Sequence, residues 1–292
     1  MKKYFKLLAL AMAALVVFAS CETDEVSTSD GNLWEGELAA AKYASDAVLY
    51  NINADGVQSV ELTGSGLYFV TPSYSGGYYY TPTLLRKKKG SRAFGSDEVL
   101  SGRFTKSGSA TYVLEGFGTM TVGSDELSVS LVDGTTVTWP YEKAPQIEMN
   151  ALNTRICRTW KIKSAKVEFL DSDKKVVGSN TFTPVQVAEE FISFFTFSRA
   201  GRIYQNDEGD WYAGSWDWYN AKSQIVLMRM DDENDGSGVF QVMFSGDEMT
   251  IVIPEAYDDN EDLRDEYSDF GFNVPASAVF AKEYLTCTNY TE

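Results

Sequence analysis

The chain has 292 residues, 44% of them hydrophobic and 14% aromatic, enough to bury the cores of about two domains and to exclude global disorder. Its 25 Lys and Arg stand against 42 Asp and Glu, a net charge of −17, and such a field repels phosphate backbones and argues against a nucleic-acid partner. Histidine is absent, which removes Ser-His-Asp and Cys-His nucleophiles, imidazole metal ligands and imidazole pH switching in one step.

Lys2, Lys3 and Lys6 precede an apolar stretch from Leu7 to Phe18 that ends at Ala19, Ser20 and Cys21. This is a basic n-region, an apolar h-region and a small-residue cleavage site. The stretch is short for a membrane span, which needs about 20 residues. Phe18-Ala19-Ser20-Cys21 resembles a bacterial lipobox, with Phe18 where that family usually has Leu. The resemblance implies a signal peptide over 1–20, cleavage before Cys21 and lipidation of that cysteine. Acyl chains contribute ~0.8 kcal/mol per buried methylene, so several chains on one cysteine anchor it for good. Glu22, Thr23, Asp24 and Glu25 then resemble the surface-export signal of Bacteroidetes lipoproteins, the alternative being a solvated acidic spacer. Together these resemblances imply an outer-membrane lipoprotein at the cell surface. Residues 21–32, rich in Ser, Thr, Asp and Gly, read as a flexible tether.

Beyond the tether the signals are β. Residues 33–46 allow one short helix, limited by Gly36. Val48 to Ile52 and Val57 to Leu62 flank an Asp55-Gly56 turn between alternating strands. Strands are expected at Leu67 to Thr71, Val99 to Thr105, Ala110 to Glu115, Thr119 to Val122, Leu127 to Val132 and Thr135 to Trp139, with Tyr78 to Leu84 a further candidate. Short links make neighbours antiparallel. This N-terminal domain, 33–142, is expected as a barrel, an open sheet or a sandwich. Alternation stops between Pro140 and Asn153, where the domain boundary is placed.

The second domain, 155–292, shows eight strands: Ile156 to Val167, Phe194 to Phe197, Arg202 to Gln205, Tyr212 to Trp218, Gln224 to Met230, Val239 to Phe244, Met249 to Ile253 and Ala278 to Thr286. One helix is expected from Pro184 to Ile192, with proline in the tolerated first turn. Antiparallel strands in chain order close most economically as an up-and-down barrel, which removes the sticky edges. The predicted fold class is therefore all-β, two antiparallel domains with an eight-stranded barrel at the C-terminal end. Arg158-Thr159-Trp160 and Gly214-Ser215-Trp216-Asp217-Trp218 give this half a resemblance to the lipocalin-like (calycin-type) barrels of Bacteroidetes lipoproteins. Arg158 stands where lipocalins have glycine, and their late arginine over the tryptophan has no clear counterpart unless Lys282 covers Trp160. Gly123-Ser124-Asp125-Glu126-Leu127 and Ser245-Gly246-Asp247-Glu248-Met249 echo one another, each joining two strands, as recurring hairpin chemistry or as a tandem duplication.

With lipid on Cys21, Cys157 and Cys287 remain as an even pair in an exported chain. They fall on the first and last barrel strands, and with Trp160, Ile162, Phe280 and Tyr284 facing in, both would face out and could bridge; the alternative is two inert buried thiols. Tyr212, Trp216 and Trp218 share one strand face, so with Trp160 and Trp211 they are candidate ligand contacts, as core, pocket lining or outward platform. Asp231, Glu233 and Asp235, and separately Asp258, Asn260, Asp262, Glu266 and Asp269, copy parts of a calcium loop, each with a defect that favours a solvated acidic loop. Arg86-Lys87-Lys88-Lys89 with Arg92 is a basic island that suits an anionic glycan or headgroup, or solubility alone. No Gly-x-Ser-x-Gly elbow, Gly-Lys-Ser loop or Cys/His metal spacing occurs, so no catalytic residue, cofactor or metal is assigned. The expected function is a lipid-anchored, non-catalytic binding or interaction module, with a membrane partner through the lipid and a small apolar ligand or a glycan as the other partner. The alternative is a carbohydrate-binding or carboxylate-dependent glycan-active accessory lipoprotein.

Overall fold

A computed structural model describes residues 46–75, 78–80, 99–207, 210–231, 237–256 and 260–290. The export segment, Cys21, the tether, the helix expected from residue 33 and the basic island lie outside them. Among the described residues no helix is long and apolar enough to cross a membrane. The protein is all-β, in two antiparallel domains.

The N-terminal domain comprises β1 (Val48–Ala54), β2 (Val57–Leu62), β3 (Leu67–Ser75), β4 (Tyr78–Tyr80), β5 (Leu100–Lys106), β6 (Thr111–Leu114), β7 (Gly118–Val122), β8 (Glu126–Leu131), β9 (Thr136–Pro140) and β10 (Glu142–Lys143). Their spatial order is β10-β1-β2-β3-β5-β6-β7-β8-β9, with β4 paired to β3. Because β9 pairs with β8 and β10 pairs with β1, the single segment from Thr136 to Lys143 carries the sheet from its last strand round to its first. Alternate residues such as Tyr50, Leu62, Tyr68, Phe104, Met120 and Trp139 fill the inside. The Asp-Gly turn forms as expected: Asp55 (φ 52°) and Gly56 (φ 77°) are both left-handed, the requirement of a type I′ hairpin between Ala54 and Val57. Trp139 on the closing segment donates its indole N–H to Asp55 Oδ2 at 2.9 Å and so ties that turn to the closure.

The C-terminal domain comprises α1 (Ala151–Ile156), β11 (Thr159–Leu170), β12 (Val176–Thr181), α2 (Pro184–Glu190), β13 (Phe194–Phe197), β14 (Arg202–Asp207), β15 (Asp210–Asn220), β16 (Ile225–Met230), β17 (Ser237–Ser245), β18 (Glu248–Ala256), α3 (Asn260–Ser268) and β19 (Phe280–Asn289). From β13 to β19 each strand pairs with the next. Thr159 to Lys161 of β11 then pair with β13, and Trp160 to Leu170 pair with β19, closing an eight-stranded barrel. The ninth strand, β12, lies on the upper half of β11 and outside the ring.

In this domain three elements differ from expectation. The first strand begins at Thr159 because Ala151 to Ile156 are helical, capped by the Asn150 side chain accepting from the Asn153 amide at 2.8 Å. β12 escapes notice because Gly178, Ser179 and Asn180 are weak strand formers; Gly178 is needed there, since a Cβ would lie 2.7 Å from the Pro275 ring. The third difference is α3, in a stretch expected as an acidic loop. As expected, α2 begins at Pro184, with a full capping box from Thr183 and Gln186.

The segment between the domains is bonded to both. Ala144 N donates to Leu49 O at 2.9 Å and Ile147 N to Arg199 O at 2.7 Å, while the Gln146 amide holds the Ala47 carbonyl. Replacing Gly56 by alanine forces a Cβ into the left-handed region and is expected to cost about 1 to 2 kcal/mol, read from the denaturant midpoint of the intact chain.

Candidate functional site

The aromatic strand β15 places its residues by parity. Trp216 points into the barrel, is 3% exposed, and meets Phe197 and Trp218 edge-on at 5.4 and 6.0 Å. Its indole N–H donates to Ser198 O at 3.0 Å. Trp218, half-buried on the same side, donates to Asn153 Oδ1 at 2.7 Å and thereby pins α1 across one end of the barrel. Trp160 is buried at that end and donates to Ile156 O at 3.0 Å. Tyr212 shares the inward parity and is half-buried.

A cation does reach the tryptophan's neighbourhood, from a residue the sequence did not single out. Arg155 of α1 sits 4.9 Å from the centroid of Phe244, whose ring is 6.2 Å from Trp160. Lys282, the candidate for that role, pairs with Glu168 at the other end of β11.

The opposite end of the barrel carries a plug of phenylalanines. Phe182 ahead of α2 contacts Phe191, Phe270 and Phe272 at 4.9 to 5.2 Å. Gln186 Nε2 donates to Phe270 O at 3.0 Å, tying α2 to the segment after α3. Below the plug, Tyr267 OH donates to Glu283 Oε1 at 3.0 Å, and Glu283 is a buried, inward-facing carboxyl of β19.

Trp211 has the outward parity and belongs to a different place, the joint between the domains. There Phe69 of β3 stacks on Tyr204 of β14 at 3.8 Å with 4° between the rings, and meets Trp211 edge-on at 5.0 Å. Around this apolar centre lie buried polar residues from both domains: Ser59, Glu61, Thr63 and Thr71 on one side, Thr159, Thr196, Ser198 and Asn206 on the other. Thr159 N donates to Ser65 Oγ and Val99 N to Trp211 O, each at 3.1 Å. Tyr204 OH donates to Glu61 Oε2 at 2.5 Å. Sequence reading missed Glu61 and Tyr204. The available signal was Leu67-Tyr68-Phe69-Val70, apolar at both parities, which marks a strand covered on both faces.

The expected disulfide between Cys157 and Cys287 is not formed; both are free, buried thiols. The parity is the reason. β19 turns Ala281, Glu283, Leu285 and Cys287 inward, rather than Phe280 and Tyr284, and a one-residue slip moves every side chain to the other face. Cys287 pairs with Ile162 and Met249 in the ladders, whereas Cys157 ends α1 with its Sγ 3.8 Å from Ser198 O. Burial pushes the Cys157 thiol up to about 12 and raises Cys287 as well.

Of the calcium-loop fragments, Glu233, Asp235 and Asp258 lie outside the described residues, and the others are engaged in or near regular structure. Asp231 accepts a forked bond from Arg202, with Nη1 to Oδ1 at 3.1 Å, and Asp262 and Glu266 lie along α3. Among the described residues no group of three or more His, Cys, Asp or Glu side chains is placed to hold a metal. No family model, curated protein or solved structure matches this chain.

Two outcomes follow from this packing. Trp216→Ala is expected to cost ~3 to 5 kcal/mol of stability, measured by denaturant unfolding. Unfolded without reductant, the protein is expected to take up maleimide at both Cys157 and Cys287; label appearing only after reduction would contradict the free thiols.

Proposed function

We propose that the chain is an exported lipoprotein, anchored through Cys21 to the bacterial outer membrane at the cell surface, in which two β domains serve as a non-catalytic interaction module that meets its partner with their outer surface. The observation that carries this reading is the use of the indole donors: those of Trp160, Trp216 and Trp218 go to Ile156 O, Ser198 O and Asn153 Oδ1 within the barrel. Ligand pockets orient what they hold with a few convergent polar groups, and these three donors are spent instead on α1 and the β13–β14 turn. A barrel of eight strands has an interior that side chains are able to fill, and the cluster from Trp160 through Phe195, Phe197, Trp216 and Val242 runs continuously through it. The anchoring part rests on the lipobox-like Phe18-Ala19-Ser20-Cys21 and the acidic residues after it.

Native mass spectrometry of the protein purified from its own source tests both parts. The expected mass is that of the chain from Cys21 onward carrying acyl groups, with no small molecule retained. A lipid-free chain beginning elsewhere would remove the anchor, and a stoichiometric apolar adduct would return the function to the barrel interior.

A further inference from the structure

The joint between the domains buries a carboxyl group, and Arg202, the guanidinium that acts on it, is already engaged with Asp231. Glu61 leaves β2 on the outward face, is 2% exposed, and pairs in the ladder with Phe69. From β14 it faces Tyr204, whose hydroxyl donates to it, and Arg202. From the β13–β14 turn it faces the Ser198 hydroxyl, and the Cys157 thiol at the end of α1 feels both Glu61 and Arg199. Arg158, also buried, directs its Nε to Thr154 O at 3.3 Å. Arg202 is held in a fork by Asp231 on the far side.

Arg202 is thus shared between two carboxyls, and its fork is spent on Asp231. Asp231 keeps 24% of its side chain exposed, whereas Glu61 is sealed between the domains, so burial penalises the charge of Glu61 the more.

We propose that this joint is a proton-operated latch: with Glu61 protonated the two domains are held together, and with Glu61 ionised they loosen.

The electrostatics agree in direction. Burial pushes the Glu61 carboxyl up to about 7 from an ordinary 4.5, against the opposing pull of the Tyr204 and Ser198 hydroxyls and of Arg202. The carboxyl therefore binds its proton more tightly in the closed joint than in an open, solvated one. Closure is favoured in full below about 4.5, where both states are protonated, and that advantage is lost as pH rises through about 7. One proton changes hands, so the ratio of closed to open falls by at most about tenfold per pH unit across this window.

The two amides that cross the joint, Thr159 to Ser65 Oγ and Val99 to Trp211 O, report the latch directly. Their hydrogen exchange in the intact chain, corrected for the intrinsic pH dependence, is to be followed from pH 5 to 8 beside core amides such as Val60 and Val242. Protection at Thr159 and Val99 is expected to fall as pH rises while the core amides hold. In Glu61→Gln, which keeps the shape and cannot ionise, protection at the joint is expected to be independent of pH. Tyr204→Phe removes a donor that favours the ionised form, so its transition is expected at higher pH, and this variant serves if Glu61→Gln does not fold. Wild-type protection that is flat over this range, a Glu61→Gln profile that follows the wild type, a Tyr204→Phe transition that does not move, or equal loss at core amides would each overturn the latch.

Discussion

One strand sets the geometry of the C-terminal domain and its attachment to the other. β11 is 12 residues long and pairs with three neighbours: β13 at its start, β12 along its upper half and β19 along nearly its whole length. Closing eight strands requires a strand long enough to be shared in this way, because tilt and stagger leave each edge partly unmatched. The bulge between Ile162 and Ser164 absorbs the change of direction. The first residue of the same strand, Thr159, donates to Ser65 of the N-terminal domain, and the second, Trp160, is buried in the barrel core. Barrel closure and domain docking therefore meet within two consecutive positions.

Ser198 connects those two events. Its carbonyl accepts the Trp216 indole from inside the barrel, and its hydroxyl accepts the amides of Ala200 and Arg202 that shape the β13–β14 turn. The same hydroxyl bonds Glu61 across the joint. A buried network of this kind is stable only when every member has a partner, so the inner packing of Trp216 and the outer docking of β2 are parts of one arrangement. The aromatic residues that looked like a ligand-binding strand are divided by parity between these two tasks, Trp216 and Trp218 inward and Trp211 outward.

Much of the fold was legible from local pattern. The alternation of Val57 to Leu62, the Asp55-Gly56 turn and the Thr183-Pro184 helix start were readable because each depends on neighbours within a few positions. The echo of Gly123 to Leu127 in Ser245 to Met249 also gains a context: these hairpins are β7–β8 and β17–β18. If β9 and β10 count as one segment and β4 and β12 are set aside, they join the sixth and seventh strands of each domain. Their turns differ, since Gly246 is left-handed (φ 56°) and neither Ser124 nor Asp125 is. What was not legible depended on distant contacts. The parity of β19 is decided by its partner strands and not by its own alternation, as Phe280 and Tyr284 are as apolar as Ala281 and Leu285. Glu61 reads as an ordinary solvent-facing residue between Val60 and Leu62 until β14 is laid over it. The role of Gly178 likewise appears only once Pro275 is in place.

The lack of histidine gives the buried Glu61 an unusual standing. In most proteins the interval between the carboxylates and the amines is dominated by imidazoles, which take up protons whatever else is happening. This chain has none, and besides an α-amine its ordinary side chains exchange few protons near neutrality. Glu61, lifted into that quiet interval by burial, titrates there with no imidazole beside it. Any proton the molecule gains or sheds on passing through neutral pH can thus be traced to a small number of sites, which makes calorimetry in buffers of different ionisation heat an unusually direct view of its chemistry.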